Sequence, residues 1–481
     1  MDTKRNLKGL AEYQNARQDH WDAVARSLES WRGWGGYYHR RLAYLLQGVI
    51  PPGHQVLEIG CGEGNLLAAV EPALGIGVDF STQMCRRAAA AHPQLEIVQG
   101  DAHYLPLAGQ FDYIILSDLL NDLWDVQQAL KQIQHLCHPH TRVIINVYSK
   151  LWEIPLEIAQ NLKLAKPNLP QNWFSPQDLE GMLRLEDFEL VKSSQEIIFP
   201  FYIPLLTPFL NRFLGKFWPF KHLALTNLII ARPTTCPQFD TAPPRVSVVI
   251  PARNEAGNIE DLFTRTPEMG GGTELIFVEG NSQDSTRETI QEYLHKYPDR
   301  DARLLLQTGR GKGDAVRLGF EGAAGEILMI LDADLSVAPE DLILFYEALL
   351  ENKGDFINGV RLVYPMEDQA MRFLNLLGNK FFSSAFSWLL GQPIKDTLCG
   401  TKVLYRSHYQ QIARNRDYFG DFDPYGDFDL LFGAAKLNLK IVDLPIRYRS
   451  RVYGSTNIDR FQGGYLLLRM VLFAAWKLKF I

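Results

Sequence analysis

Asp332 and Asp334 flank a single alanine where the apolar run ILMIL stops, in the stretch ILMILDADLSVAPED (327–341). Two carboxylates this close repel one another unless a positive charge sits on them. Farther on, Asp427 and Asp429 open the apolar stretch GDFDLLFGAA, with Asp423 just before it. A carboxylate there suits general-base work on a hydroxyl, and three together read equally as a solvated acidic face. In the first half of the chain, acidic residues close three apolar runs at Asp79, Asp101 and Asp118. Glu58 precedes a turn built on Gly60, Gly62 and Gly64. Glycines at such a turn let the backbone come close to a ligand, and the N-terminus of the following helix faces it. On its own, this pattern would serve a dinucleotide equally well. His135, Cys137, His138 and His140 in HLCHPH are metal-ligating types. Their spacing fits none of the usual zinc patterns, and they are expected in a plain turn before the strand RVIINVY.

These residues need strands that end in loops at one edge of a sheet. HQVLEIG, GIGVDFS, LEIVQGD and FDYIILSD each read as an apolar strand running into a polar loop. Helical stretches lie between them, the alternation of a parallel α/β sheet. VSVVIPARNE, ELIFVEGNS and ILMILDADLS repeat the pattern after residue 245. Between the two series, TTCPQFDTAPPR (234–245) carries three prolines and no apolar periodicity, so it reads as a linker. The expected organisation is a domain over 1–233, the linker, and a second domain over 246–481. The fold class is α/β in both.

The 481 residues are too many for one ordinary core. A formal net charge of −6 argues against a nucleic-acid binder that relies on a basic surface. The five cysteines show no C-x-x-C spacing and read as reduced thiols of a cytoplasmic protein. The polar N-terminus lacks the apolar centre of a signal peptide. No apolar run reaches transmembrane length. Two come near: 197–220, broken by prolines, and 464–481, interrupted by Arg469, Lys477 and Lys479. Either suits a membrane interface or packing inside the protein. The second is expected to form an amphipathic C-terminal helix that tethers the protein peripherally.

In the first half, E-x-G-x-G-x-G, V-D-F-S, G-D-A and F-D-Y-I-I-L-S-D occur in that order. Together they resemble class I S-adenosylmethionine-dependent methyltransferases over roughly residues 20–233. The resemblance implies a Rossmann-like sheet. Glu58, Gly60, Gly62 and Gly64 would hold the methionine part and the turn. Asp79 would bind the ribose, Asp101 and Ala102 would flank the adenine, and Ser117 would line the floor. No base that would activate a methyl acceptor stands out. The apolar stretches from residue 149 to 213 lie where this family varies its acceptor pocket, and they suggest an acceptor with a lipid or large apolar part.

In the second half, P-A-R-N-E, V-E-G-N-S, G-K-G-D-A-V-R, D-A-D, D-T-L-C-G-T-K and R-V-Y-G-S-T resemble family 2 glycosyltransferases of the GT-A type. The branch most resembled is the dolichol-phosphate mannosyltransferase-like one, over roughly 245–460. That implies a nucleotide-sugar donor, a UDP- or GDP-sugar. It also implies a Mg²⁺ or Mn²⁺ ion held by Asp332 and Asp334 against the diphosphate, beside the small Ala333. Pro251, Ala252, Arg253 and Glu255 would cradle base and ribose, with Glu279 following the second strand. Relatives often carry two aspartates where this chain has Glu279 and Gly280, so the base remains open. Lys312, Arg361 and Arg451 would meet phosphates, and Asp427 would be the general base for a hydroxyl acceptor. A polyprenyl-phosphate acceptor, already an anion, would need no base.

The combined expectation is a bifunctional enzyme: methyl transfer from S-adenosylmethionine, and metal-dependent inverting glycosyl transfer to a polyprenyl-phosphate or glycolipid acceptor. The rival reading keeps one half catalytic and makes the other a binding module or a membrane-recruited scaffold.

Overall fold

The computed structural model describes residues 2–27, 32–161, 169–236, 242–361, 363, 373–418, 426–449, 453 and 460–480. Its two compact units divide between Thr235 and Cys236, within the proline-rich stretch. Arg451, Asp423 and most of R-V-Y-G-S-T lie outside the described residues.

The first unit is built on a seven-stranded sheet. Its strands are β1 (Gln55–Ile59), β2 (Leu74–Asp79), β3 (Glu96–Gln99), β4 (Phe111–Ser117), β5 (Cys137–Tyr148), β6 (Phe188–Glu196) and β7 (Thr226–Pro233). Their order across the sheet is β3-β2-β1-β4-β5-β7-β6. The first five are parallel, and β7 runs antiparallel between β5 and β6. Side chains alternate across the sheet. Leu57, Ile114, Leu116, Val143 and Ile145 face one buried layer, and Val56, Tyr113, Ile115 and Ile144 face the other. A sheet covered on both faces needs central strands that are mostly apolar, as β4 and the second half of β5 are.

One expectation fails here. Residues 137–140 are not a turn: they are the extended start of β5, paired with β4 across a bulge. The Thr141 hydroxyl accepts the His138 N–H at 2.9 Å, and the His138 ring meets Asp112 at 3.3 Å. Local hydrogen bonds thus occupy residues that the sequence leaves unassigned.

The second unit has a seven-stranded mixed sheet. Its strands are β8 (Val246–Ala252), β9 (Thr273–Glu279), β10 (Ala302–Leu306), β11 (Ile327–Ile330), β12 (Phe356–Val360), β13 (Lys402–Tyr405) and β14 (Ile441–Pro445). The order is β10-β9-β8-β11-β13-β12-β14, with β13 antiparallel to both neighbours. The helix Lys312–Gly322 lies tightly on β8, because a Cβ on Gly319 would collide with Val249. Both sheets present the carboxyl ends of their central parallel strands to the loops that carry the polar motifs, the usual ligand edge of an open α/β sheet.

Candidate active sites

In the first unit the turn after β1 holds Gly60, Gly62 and Gly64 at φ 75°, 52° and 73°, where glycine alone is unstrained. A Cβ on Gly60 would strike Leu119, whereas one on Gly62 would meet nothing within 4 Å. The turn is therefore packed behind and open in front. The Asp79 carboxylate braces it, accepting the Gly62 N–H and the Ser81 N–H, each at 2.9 Å. Burial pushes the Asp79 pKa up, and the two N–H groups pull against that rise. Glu58 is buried, and its Oε2 accepts the Leu67 N–H at 3.0 Å, so its direct contact is with the helix following the turn. Burial is the largest influence on Glu58 and raises its pKa to about 8.

Asp101 accepts from the His103 N–H at 2.9 Å and meets His103 Nδ1 at 2.7 Å. Burial favours its protonation, but these hydrogen bonds and the His103 charge outweigh it, and its pKa falls. Ala102 is buried beside it, and Ser117 ends β4. The structure thus brings Gly60, Gly62, Gly64, Asp79, Asp101, Ala102 and Ser117 to one edge of the sheet, with Glu58 beneath the turn.

Two features of this edge escaped the sequence analysis. The N-terminal helix Asp2–Ser27 reaches over it. Tyr13, Arg17 and Trp21, spaced four apart, all bind Asp122, while Gln14 bonds Asp101 and Gln18 bonds the Phe80 carbonyl. The four-residue spacing was the available signal. The second is a buried network on Asp118, which follows β4 with φ 53°. The Tyr38 hydroxyl donates to Asp118 at 2.9 Å, and Asn146 Nδ2 donates to it at 2.7 Å. Burial, then the Asp118 charge, raises the Tyr38 and Tyr148 phenols well above their ordinary pKa. Tyr38 lies far upstream and Tyr148 at the end of β5, so their convergence on Asp118 needed the fold.

In the second unit, Lys312 Nζ lies 2.5 Å from Asp332 Oδ1. Burial alone would lower the Lys312 pKa, but the Asp332 and Asp427 carboxylates raise it. A positive charge therefore does sit on the first aspartate. Asp334 accepts the Ser336 N–H at 3.0 Å, and Ala333 is buried between the two. A Cβ on Gly400 would collide with both Asp332 and Lys312. A second glycine contact sets the wider geometry. Gly426, at φ 75°, approaches Gly313 so closely that a Cβ would fall 2.5 Å from the Gly313 Cα. Lys312 and Asp427, each next to one of these glycines, begin two helices at that point.

Asp427 and Asp429 are both buried, which removes the solvated-face reading for the pair. Lys402, fully buried, stands 3.1 Å from Asp427 Oδ1, and Arg416 Nε stands 3.0 Å from Asp429 Oδ2. Sequence reasoning did not single out Lys402: a lysine inside a strand of mixed residues carries no visible partner. Pro251 and Ala252 end β8, with the exposed Arg253 after them. Glu255 accepts from Asn258 Nδ2 at 2.7 Å, and Glu279 accepts the Ser282 N–H at 2.5 Å. Arg361, expected to meet a phosphate, lies just past the end of β12 (Phe356–Val360). It forms a two-pronged ion pair with Asp396, at 2.7 and 2.8 Å, and its charge is already matched there. Two carboxylates on hard oxygen, one alanine apart beside an open loop, suit a divalent cation that takes its remaining ligands from phosphates and water.

Two family models match the chain: Methyltransferase domain over residues 13–193, and Glycosyl transferase family 2 over residues 247–416. The chain joins a methyltransferase domain to a family 2 glycosyltransferase domain. It is an enzyme of the transferase class. The glycosyltransferase unit is similar to glycosyltransferase AglJ of Haloferax volcanii, with 29% identity over 47% of this chain and 71% of that protein. It is also similar to the dolichol-phosphate mannosyltransferase of Pyrococcus furiosus, with 37% identity over 44% of this chain and 59% of that protein. Among solved structures, a SAM-dependent methyltransferase from Thermotoga maritima overlaps 45% of this chain and all of its own. That overlap has 20% identity and a TM-score of 0.34. No helix among the described residues is long and apolar enough to cross a membrane.

Proposed function

We propose that the protein is bifunctional, transferring a methyl group from S-adenosylmethionine in one unit and a sugar from a UDP- or GDP-sugar to a polyprenyl phosphate in the other. The observation that carries the glycosyl half is the convergence of Lys312, Asp332, Asp334 and Asp427 at the ends of β11 and two helices. The dolichol-phosphate relative supports the acceptor class. Asp332 and Asp334 would hold Mg²⁺ or Mn²⁺, which supplies charge to stabilise the departing nucleoside diphosphate. Lys312 would share Asp332 with that charge and turn towards the diphosphate. Pro251, Ala252, Arg253, Glu255 and Glu279 form the wall for base and ribose, and Arg451 is proposed for the phosphates. The acceptor oxygen attacks the anomeric carbon as the bond to the diphosphate breaks, on the opposite face. A phosphate acceptor arrives as an anion, so Asp427 orients the site through its lysines. With a hydroxyl acceptor Asp427 would take the proton.

In the methyltransferase unit, S-adenosylmethionine supplies an electrophilic methyl group. Asp79 would accept the ribose hydroxyls, and Asp101 with Ala102 would border the adenine side. Glu58 and the three glycines shape the turn, and Ser117 lines the floor. Asp118, held by Tyr38 and Asn146, is the carboxylate best placed to orient an acceptor. The C-terminal helix Arg460–Ala474, with the turn Ala475–Lys479 after it, is proposed as a peripheral membrane tether, presenting Tyr465, Leu472 and Trp476 to solvent.

Calorimetry of the full chain against a panel of UDP- and GDP-sugars, with Mn²⁺ or with EDTA, tests the glycosyl half. Metal-dependent donor binding is expected. Asp334→Asn should lower sugar transfer while leaving the melting temperature at or above that of the parent protein, because one repelling charge is gone. A variant that melts earlier yet transfers sugar normally in EDTA would overturn the reading.

A further inference from the structure

Residues 197–223 of the methyltransferase unit, IIFPFYIPLLTPFLNRFLGKFWPFKHL, contain no aspartate or glutamate, and carry Arg212, Lys216 and Lys221. The apolar side chains are not folded away. Leu205 is 87% exposed and Trp218 77%, with Tyr202, Phe209 and Leu223 more than half exposed around them. Leu205 also sits at φ 65°, a backbone region that disfavours a branched, bulky residue. An exposed leucine in a strained conformation costs stability twice, so the segment is built for something other than its own folding.

The segment is firmly held from beneath. Lys216 and Glu196 form a buried ion pair, with Nζ 2.6 Å from both carboxylate oxygens. Thr207, fully buried, accepts the Ile203 N–H at 2.8 Å and donates to the Phe201 carbonyl at 2.7 Å. Asn211 ties Phe199 through both its N–H and its carbonyl, and Tyr37 through its hydroxyl. Polar anchors inside and apolar groups outside invert the usual arrangement of a loop. Beside the apolar surface lies a cleft of about 400 Å³, lined by Tyr37, Arg40, Arg41, Tyr44, Tyr202 and Arg212. Three guanidinium groups among tyrosines match a phosphate, which arginine binds in forked geometry.

We propose that residues 197–223 form a membrane-docking surface. The apolar side chains around Leu205 and Trp218 enter the interfacial layer of an anionic bilayer, and the Arg40–Arg41–Arg212 cleft seats a lipid phosphate. Charge complementarity selects this occupant: an acid-free apolar surface bordered by arginines suits an anionic lipid surface, with basic residues at headgroup depth and aromatic residues at the interface. The inference rests on the exposure and charge of this segment and not on either transfer activity.

The test is co-sedimentation of the full chain with vesicles of phosphatidylcholine alone, or of phosphatidylcholine mixed with phosphatidylglycerol. The protein should favour the anionic vesicles, and added salt should weaken that preference. Leu205→Gly should reduce partition roughly tenfold, from the lost burial of one leucine side chain. The same variant should melt no earlier than the parent protein, because glycine tolerates the φ of residue 205. Arg40→Glu should bring partition on anionic vesicles towards the phosphatidylcholine level. The proposal is overturned if Leu205→Gly sediments like the parent, if Arg40→Glu keeps the full anionic preference, or if the parent chain ignores both kinds of vesicle, as a surface for a protein partner would.

Discussion

Glu58→Gln should stabilise the methyltransferase unit at alkaline pH and have little effect in mild acid. Glu58 is buried, has the Leu67 N–H as its hydrogen-bond donor, and feels the charge of Asp79. Its pKa rises from 4.5 to about 8. Between those values the folded state binds more protons than the unfolded one, so stability falls as pH rises through this window. Below pH 4.5 both states are protonated and there is no cost; above about pH 8 the cost is complete. The separation of 3.5 (8 − 4.5), at about 1.4 kcal/mol for each pH unit, sets an upper bound of about 5 kcal/mol. Glutamine keeps an oxygen for the Leu67 N–H and removes the charge, at a loss of about 1 kcal/mol for the weaker hydrogen bond. The expected gain is therefore about 2–4 kcal/mol near pH 9, vanishing near pH 5. The Asp79 pKa is also raised by burial, but its slope persists in the variant, so the difference between the two curves reports Glu58. The assay is urea denaturation of both proteins across this pH range, followed by a probe in the first unit. Parallel stability curves, or a variant weaker at alkaline pH, would refute the reasoning.

Asp79→Ala should weaken S-adenosylmethionine binding by about 1.5–3 kcal/mol, read by calorimetry on the folded variant, through loss of the ribose hydrogen bonds. Lys402→Met leaves the buried Asp427 carboxylate without its 3.1 Å partner. It should cost about 3–5 kcal/mol in urea denaturation, and adding Asp427→Asn should restore much of the loss. Tyr38→Phe removes a hydrogen bond to Asp118 and should lower methyl transfer while S-adenosylmethionine affinity, measured separately, stays the same. A chain ending at Gly463 should float less with liposomes than the full chain; equal flotation would discard the C-terminal helix as a tether.

What was legible in the sequence was local. Apolar runs that stop at Asp79, Ser117 and Asp332 became β-strands with those residues at or just past their carboxyl ends, because a strand covered on both faces is mostly apolar until it leaves the sheet. Gly60, Gly62 and Gly64 were readable for a similar reason: their positive φ values are a property of the turn itself. The break between units fell inside TTCPQFDTAPPR, where no periodic apolar face exists to bury. The start of β5 was misplaced because four residues with two histidines and a proline carry no strand signal. Their extended conformation depends on Thr141 and on Asp112 of the neighbouring strand.

Charge pairing was decided by tertiary structure alone. The sequence shows that Asp332 needs a cation, but not that Lys312 supplies one, since Gly313, Gly400 and Gly426 must first let three segments close upon one another. The sequence offers Arg361 for a phosphate, and only the fold commits it to Asp396. It shows Asp427 and Asp429 as neighbours on an acidic stretch, and only burial reveals separate cations for each, Lys402 and Arg416. An isolated run of residues can specify where a strand ends, because that depends on its own pattern of apolar groups. It cannot specify which opposite charge lies a few ångströms away, because that charge comes from residues distant in the chain, and the electrostatic cost of burial arises only once the core has closed around them.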